Sequence, residues 1–351
     1  MKISMKKILF VEPWNGSSFL NHKGIVLDVS PHGFDSGSAC YGSIFVNEDD
    51  PENLFLFYAG ASDVQWSRSS IGLAVSNDAL TFKKMSGNPI LEDSPKSFCY
   101  KQALSPVVTR VGNRFFMILS GKPAANAARR IGIAYADDVK GPWRIIGELI
   151  KPTQFWEGNA IDNGPSVVKL DDETILLYYS SLMIPKAYDF LTVLKRYAAR
   201  RIGLLKVRIR GTSLSQIEAM RFSGNPLKHL NGPKRSWNES VFCPGHLKLN
   251  GTHYLFPAAS TYSIGFPYKQ YIGIATSNSP YFPKEKTRTT KIIDGPSEKT
   301  KIIPNIKSEI ALDTPSAYFD IEKRKLLLYY SVADRANEVW KTALTTFDLA
   351  D

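Results

Sequence analysis

Cysteine is scarce, with only Cys40, Cys99 and Cys243 in 351 residues. An odd number at such wide spacing excludes a disulfide scaffold and a clustered zinc site, and it fits a reducing, cytoplasmic compartment. Long apolar runs are also missing. The run Ile8–Val11 is too short for the core of a secretory leader, and the segment around Thr174–Pro185 is broken by Tyr and Ser before it reaches membrane-spanning length. There is no Gly-rich phosphate loop, no His-Glu-x-x-His and no paired Cys-x-x-Cys. The nearest approach to a nucleophile elbow, Gly211–Ser215, ends in Ser rather than Gly. These absences leave no expected metal or cofactor.

Aromatic and turn-forming residues are abundant: 19 Phe, 16 Tyr, 6 Trp, 24 Gly and 21 Pro. This mixture favours an all-β chain rich in turns. Net charge is +11, and it is concentrated. Lys186–Arg235 holds twelve Lys/Arg against Asp189 and Glu218. Such a segment suits an acidic glycan or an anionic membrane surface. No recognition motif accompanies it, so nucleic acid is not expected as a partner.

Three units recur in fixed order. A strand ending in aromatic and small residues appears as Leu54–Gly60, Arg114–Gly121, Ile175–Ser181, His253–Ser260 and Leu326–Val332. An Ile-Gly strand follows the first four at Ile71, Ile131, Ile202 and Ile272, with a degenerate fifth copy over Trp340–Asp348. A unit carrying Pro106, Pro165, Pro244 or Pro315 precedes four of the aromatic strands, and Tyr41–Val46 stands in its place in the first copy. Five such cycles predict a five-bladed β-propeller rather than a β-sandwich. The blades fall at about 30–95, 96–150, 151–212, 236–290 and 305–350 of one domain spanning 1–351. Pro165 and Pro244 are the most widely spaced pair, which places a basic insertion between blades three and four. Asp189–Ala199 and Leu214–Arg221 are the best short helix candidates.

The Ile-Gly strand after an aromatic strand ending in Tyr-Tyr-Ser or Tyr-Ala-Gly resembles the five-bladed glycosidases, above all glycoside hydrolase family 43, with families 32 and 130 related. The resemblance covers about residues 30–350. It implies an active site on the propeller axis where the innermost strands begin, built from carboxyl groups of different blades. It also implies inversion, with one carboxyl as general acid and another as general base. On that pattern Asp35 is assigned as base and Glu157 as acid, with Asp162 and Asp313 tuning them or holding sugar hydroxyls. Trp156 beside Glu157 is expected to raise its pKa through burial. Lys101, Gln102, Trp156, Trp237, Glu239 and His246 are the expected substrate-binding residues, although a satisfied core histidine is the simpler reading of the last.

Family 43 usually carries an acid in blade two and Glu-Gly-Pro in blade three, whereas this chain has Ser105-Pro106 and Asn163-Gly164-Pro165. Arg129-Arg130 and Arg200-Arg201 read as edge charges that protect the sheets. The leading function is glycoside hydrolysis of a carbohydrate, with an anionic glycan expected from the basic segment. Glycosyl transfer or phosphorolysis on the same scaffold and sugar binding without turnover stay open.

Overall fold

The computed structural model describes residues 8–10, 24–91, 94–181, 199–261, 270–294, 310–334 and 339–349. Two short strands come first, β1 (Ile8–Phe10) and β2 (Ile25–Leu27). Blade one is β3 (Ser38–Asn47), β4 (Asp50–Ala61), β5 (Ser69–Ser76) and β6 (Lys83–Lys84). Blade two is β7 (Gln102–Val111), β8 (Arg114–Lys122), β9 (Arg130–Ala136) and β10 (Arg144–Ile150). Blade three is β11 (Ile161–Lys169), β12 (Thr174–Ser181), β13 (Ile202–Ile209) and β14 (Ile217–Arg221). Blade four is β15 (Ser240–Leu249), β16 (Thr252–Ser260), β17 (Gln270–Ser277) and β18 (Arg288–Asp294). Blade five is β19 (Ile310–Asp320), β20 (Lys325–Asp334) and β21 (Val339–Leu349), and β1 and β2 pair with the outer edge of β21. The N-terminal strands thus complete the last blade. A parallel bridge, Ser69 to Gln102, links the ladders of blades one and two, and an isolated one joins Leu91 to Trp143.

The five aromatic strands are apolar on both faces because each blade is sandwiched between two others. In β4, Phe55 and Phe57 pack toward blade two, while Leu54, Leu56 and Tyr58 join Leu327, Tyr329 and Leu344 of blade five. Ile118 of blade two meets Leu177 of blade three, Leu176 of blade three meets Leu255 of blade four, and Phe256 of blade four meets Leu328 of blade five. Two-sided burial explains why these strands read as continuous hydrophobic runs rather than alternating ones.

A ring of hydrogen bonds ties each innermost strand to the preceding blade. The amides of Tyr41, Ala103, Asn163 and Cys243 donate to the hydroxyls of Ser331, Ser69, Ser120 and Ser180 at 2.7, 3.1, 3.0 and 2.6 Å. The Leu312 amide donates to Gln270 Oε1 at 2.8 Å. Three serines near the ends of aromatic strands, Ser120, Ser180 and Ser331, and Ser69 at the start of β5 therefore serve the joints between blades. The recurring prolines also acquire a cause. Each innermost strand bulges between residues 40 and 43, 104 and 107, 163 and 167, 242 and 245, or 313 and 316. Tyr41, Ser105, Cys243 and Thr314 sit there at φ 51, 49, 41 and 48. A bulge frees one backbone amide from the ladder, and proline has none to lose.

The Ile-Gly glycines have an equally specific cause. The rings of Phe34, Phe98, Trp156 and Trp237 lie directly on Gly72, Gly132, Gly203 and Gly273, where a Cβ would collide with them. Gly203→Ala must push Trp156 off this seat, and overpacking of that kind costs about 1–3 kcal/mol. Thermal unfolding of this variant is expected to show a midpoint several degrees lower; an unchanged midpoint would show that the ring has room to move.

The structure revises the outer limits of the blades. Blade three continues to Arg221 and blade four to Asp294, and residues 25–27 belong to blade five. Of the expected helix Leu214–Arg221, only Leu214–Gln216 forms a single 3-10 turn. The rest is β14, which pairs with β13 from Ile209–Ile217 to Leu205–Arg221. The described part of the basic segment is therefore largely the outer half of blade three, not an inserted loop. Asp189–Ala199, with Lys195 and Arg196, lies outside the described residues, apart from Ala199. Among the described residues no helix is long and apolar enough to cross a membrane.

Candidate active site

The innermost strands begin around a cavity of about 380 Å³ to which all five blades contribute. Blade one supplies Tyr41, Gln65 and Trp66, and blade two supplies Gln102, Ser105, Lys122 and Arg129. Asp162 comes from blade three, Arg200 from the turn entering β13, Cys243 from blade four, and Asp313 and Trp340 from blade five. Tyr41, Ser105 and Cys243 are three of the left-handed bulge residues. Backbone strain of this kind gathers where the frame fixes side chains for function. The Tyr41 ring stands 5.4 Å from Trp66 and 5.2 Å from Trp340, which makes one wall aromatic.

Among the described residues, Asp162 and Asp313 are the two acids on this cavity, and the cross-strand register explains their equivalence. Asp162 lies opposite Ser180 and Asp313 opposite Ser331, each serine following a Tyr-Tyr pair. Asp162 Oδ2 accepts a 2.6 Å charge-assisted bond from Arg129 Nη1. Its Oδ1 is buried and has no partner among the described residues, and Arg129 Nε is in the same position. Asp313 Oδ1 accepts from the Thr314 amide at 2.7 Å and from the Thr314 hydroxyl at 3.1 Å. Its Oδ2 is 3.9 Å from Arg200 Nη1, and the Arg200 guanidinium lies 4.2 Å over the Phe242 ring. Burial pushes the Asp313 carboxyl above its ordinary value, against the pull of Arg200 and Thr314. The Cys243 thiol, buried beside Asp313, is pushed up as well and stays protonated.

Asp35 and Glu157, the carboxyls expected to act as base and acid, do not line the cavity. Asp35 is buried, accepts from Tyr58 Oη at 2.8 Å and pairs with Lys84 Nζ at 2.6 Å. Glu157 is fully buried; Oε1 takes Tyr179 Oη at 2.8 Å and Arg221 Nε at 2.6 Å, and Oε2 takes the amides of Thr153 and Gln154. Burial alone would raise the Glu157 carboxyl, but Arg221 and the two amides outweigh it and hold it below the ordinary value. That is the reverse of what a general acid needs. The two sites repeat one architectural device: an aromatic residue and an acid before the innermost strand, a tyrosine on the second strand, and a cation on the outer strand. An Asn follows in each, Asn88 reaching Tyr58 Oη and Asn225 reaching Tyr179 Oη.

Of the expected substrate-binding residues, Gln102 faces the cavity. Its Nε2 donates to the Trp66 carbonyl at 2.6 Å, and its Oε1 is buried without a partner. Lys101 instead contributes backbone: its carbonyl accepts from the Ser69 amide at 3.4 Å across the joint between blades one and two, and its amide donates to the Lys122 carbonyl at 2.8 Å within blade two. Trp156 and Trp237 are seated on glycines, and Glu239 accepts from the Arg235 amide at 3.0 Å. His246 shares a 2.9 Å hydrogen bond with His253 and stacks on Tyr178; burial and its partner lower its pKa to about 3, which keeps it neutral. Apart from Gln102, none of these lines the cavity.

Asn163 is also structural. Its Nδ2 donates to the Ser105 carbonyl at 2.5 Å, and its Oδ1 accepts from Ser120. The residues overlooked in the sequence are the cations and the aromatic wall. Arg130 opens β9, an interior strand of blade two, and is bound to Glu148 of the outer strand β10 at 2.6 Å, while Arg129 and Arg200 turn into the cavity. Each stands two residues before an Ile-Gly pair, as the first of two consecutive arginines, and that repetition was the available signal.

The family model of glycosyl hydrolases family 43 matches residues 52–305. Among solved structures, the chain is similar to a glycosyl hydrolase from Bacteroides ovatus, with TM-score 0.59 and 14% identity over 98% of this chain and 94% of that one. It is similar to an alpha-L-arabinofuranosidase from Lactobacillus brevis, with TM-score 0.56 and 12% identity over 89% and 91%. It is similar, too, to a BT0996 RGII complex, with TM-score 0.61 and 12% identity over 92% and 91%. No curated protein matches the sequence. These likenesses share the five-bladed frame, and the family match spans well over half of the sequence: the protein is a glycoside hydrolase and belongs to glycosyl hydrolases family 43.

Proposed function

We propose that the axial cavity hydrolyses a glycosidic bond by a single inverting displacement, with Asp313 as general acid and Asp162 as general base. The observation that carries this reading is that carboxyls of blades three and five face one cavity beside an aromatic wall. Burial favours the protonated Asp313 carboxyl, which gives its proton to the departing glycosidic oxygen. Asp162 is anchored through Oδ2 by Arg129, which leaves Oδ1 to accept the proton of the attacking water. Water oxygen bonds to the anomeric carbon as the bond to the leaving oxygen breaks, and the transition state has oxocarbenium character. Tyr41, Trp66 and Trp340 offer faces on which a sugar can stack.

The charges around the cavity support an anionic glycan as substrate, since Lys122, Arg129 and Arg200 face two carboxyls. The likeness to the BT0996 RGII complex adds support only through the shared fold. Cys40, Cys99 and Cys243 are buried thiols rather than disulfide halves, which supports a cytoplasmic setting. Proton NMR of the first-formed sugar is expected to show the anomer opposite to that of the substrate; the same anomer would replace this scheme with a double displacement.

A further inference from the structure

Each cavity arginine is matched to an acid: Arg129 to Asp162 and Arg200 to Asp313. Lys122 is the third cation. Its ammonium donates to the Ala125 carbonyl at 3.3 Å, and among the described residues no carboxylate lies within salt-bridge distance of it. Burial, then the neighbouring Arg129, lowers its pKa, so this corner gains from an added negative charge. Arg129 Nε is a buried donor without a partner, and Gln102 Oε1 is a buried acceptor without one. Leaving such groups unpaired is costly, and a ligand that satisfies them recovers that cost.

We propose that Lys122 and Arg129 form a subsite for a carboxylate carried by the sugar ring that is cleaved, with Gln102 Oε1 accepting from a hydroxyl of the same ring. This rests on reading the axial cavity as the glycoside site. The placement on the cleaved ring follows from Arg129. Its guanidinium is planar and rigid, with Nη1 on the base Asp162 and, on the same group, Nε buried and without a partner among the described residues. An anion at Nε is therefore held within one guanidinium of the catalytic carboxylate. A guanidinium edge matches a planar carboxylate, and an acceptor beside it matches a hydroxyl. A uronic acid carries both.

The test measures binding apart from turnover. Asp313→Asn protein is titrated calorimetrically with D-galacturonate, D-galactose, D-glucuronate, D-glucose and D-galactose 6-phosphate. At least one uronate is expected to bind about tenfold or more tightly than its neutral counterpart, as charge-assisted hydrogen bonds imply. In Lys122→Gln this preference is expected to shrink to about threefold or less, and Lys122→Arg is expected to restore most of it. Equal binding of acid and neutral sugars, a preference that survives Lys122→Gln, a stronger preference for the 6-phosphate, or binding of none at high millimolar concentration would each overturn the subsite. Hydrolysis of neutral glycosides without carboxylate preference overturns this inference and leaves the Asp162–Asp313 scheme standing. Uronate preference without hydrolysis of any uronide does the reverse.

Discussion

Asp162→Asn and Asp313→Asn are each expected to lower kcat/KM on an alkyl glycoside by about 10³-fold, within the range general acid–base groups supply. The two losses should separate by leaving group. A nitrophenyl glycoside departs with little protonation, so Asp313→Asn should lose far less on it, whereas Asp162→Asn should lose as much on either substrate. Azide, which attacks without a base, should restore turnover only to Asp162→Asn. The pH profile carries the same signature. In the proposed scheme Asp313 acts in its protonated form, and burial raises its pKa, so activity should fall as pH climbs through that raised value. In Asp313→Asn this alkaline limb should disappear. Equal losses on both classes of substrate, with the alkaline limb intact, would remove Asp313 from the role of acid.

Much of this frame was legible because a propeller repeats its local requirements. The prolines mark bulges, the Ile-Gly pairs mark aromatic seats, and the Tyr-Tyr-Ser ends mark the joints between blades. Outer strands were harder to see. The two residues of β6 are too few to show a period, and β14 alternates Ile217, Ala219 and Arg221 inward with Glu218 and Met220 outward over only five residues. Asp162 and Asp313 stood out because similar segments, Ile-Asp-Asn-Gly-Pro and Leu-Asp-Thr-Pro, recur in two blades. An aromatic–acid pair ahead of an innermost strand, as at Asp35 and Glu157, suits a sugar subsite and a buried anchor equally well. What separates the two is the cation that reaches back from the outer strand, Lys84 or Arg221, and its contact spans 49 or 64 residues of sequence. Lys122, Trp66 and Trp340 meet only at the axis, and no local pattern announces that meeting.

Arg221→Ala tests the anchor directly and should produce the largest loss of stability. It leaves Glu157 fully buried without its cation, while Tyr179 and two amides still donate to it. Breaking a buried pair on one side costs about 3–5 kcal/mol. At about 2.1 cal/mol/K of unfolding entropy per residue, a chain of 351 residues loses about 1.4 °C per kcal/mol, so the unfolding midpoint should fall by roughly 4–7 °C at neutral pH. The sign of the pH dependence follows from the depressed Glu157 pKa. A carboxyl held below its unfolded value contributes stability that is fully present above that value and is lost as pH falls through the folded one. The gap between wild type and Arg221→Ala should therefore be widest at neutral pH and narrow in acid. Glu157→Leu combined with Arg221→Met, which removes both charges, should cost less than Arg221→Ala alone. Folded Arg221→Ala at 25 °C should keep kcat/KM within about threefold of wild type, because neither residue lines the cavity. A variant with an unchanged midpoint and abolished turnover would return Glu157 to the catalytic centre.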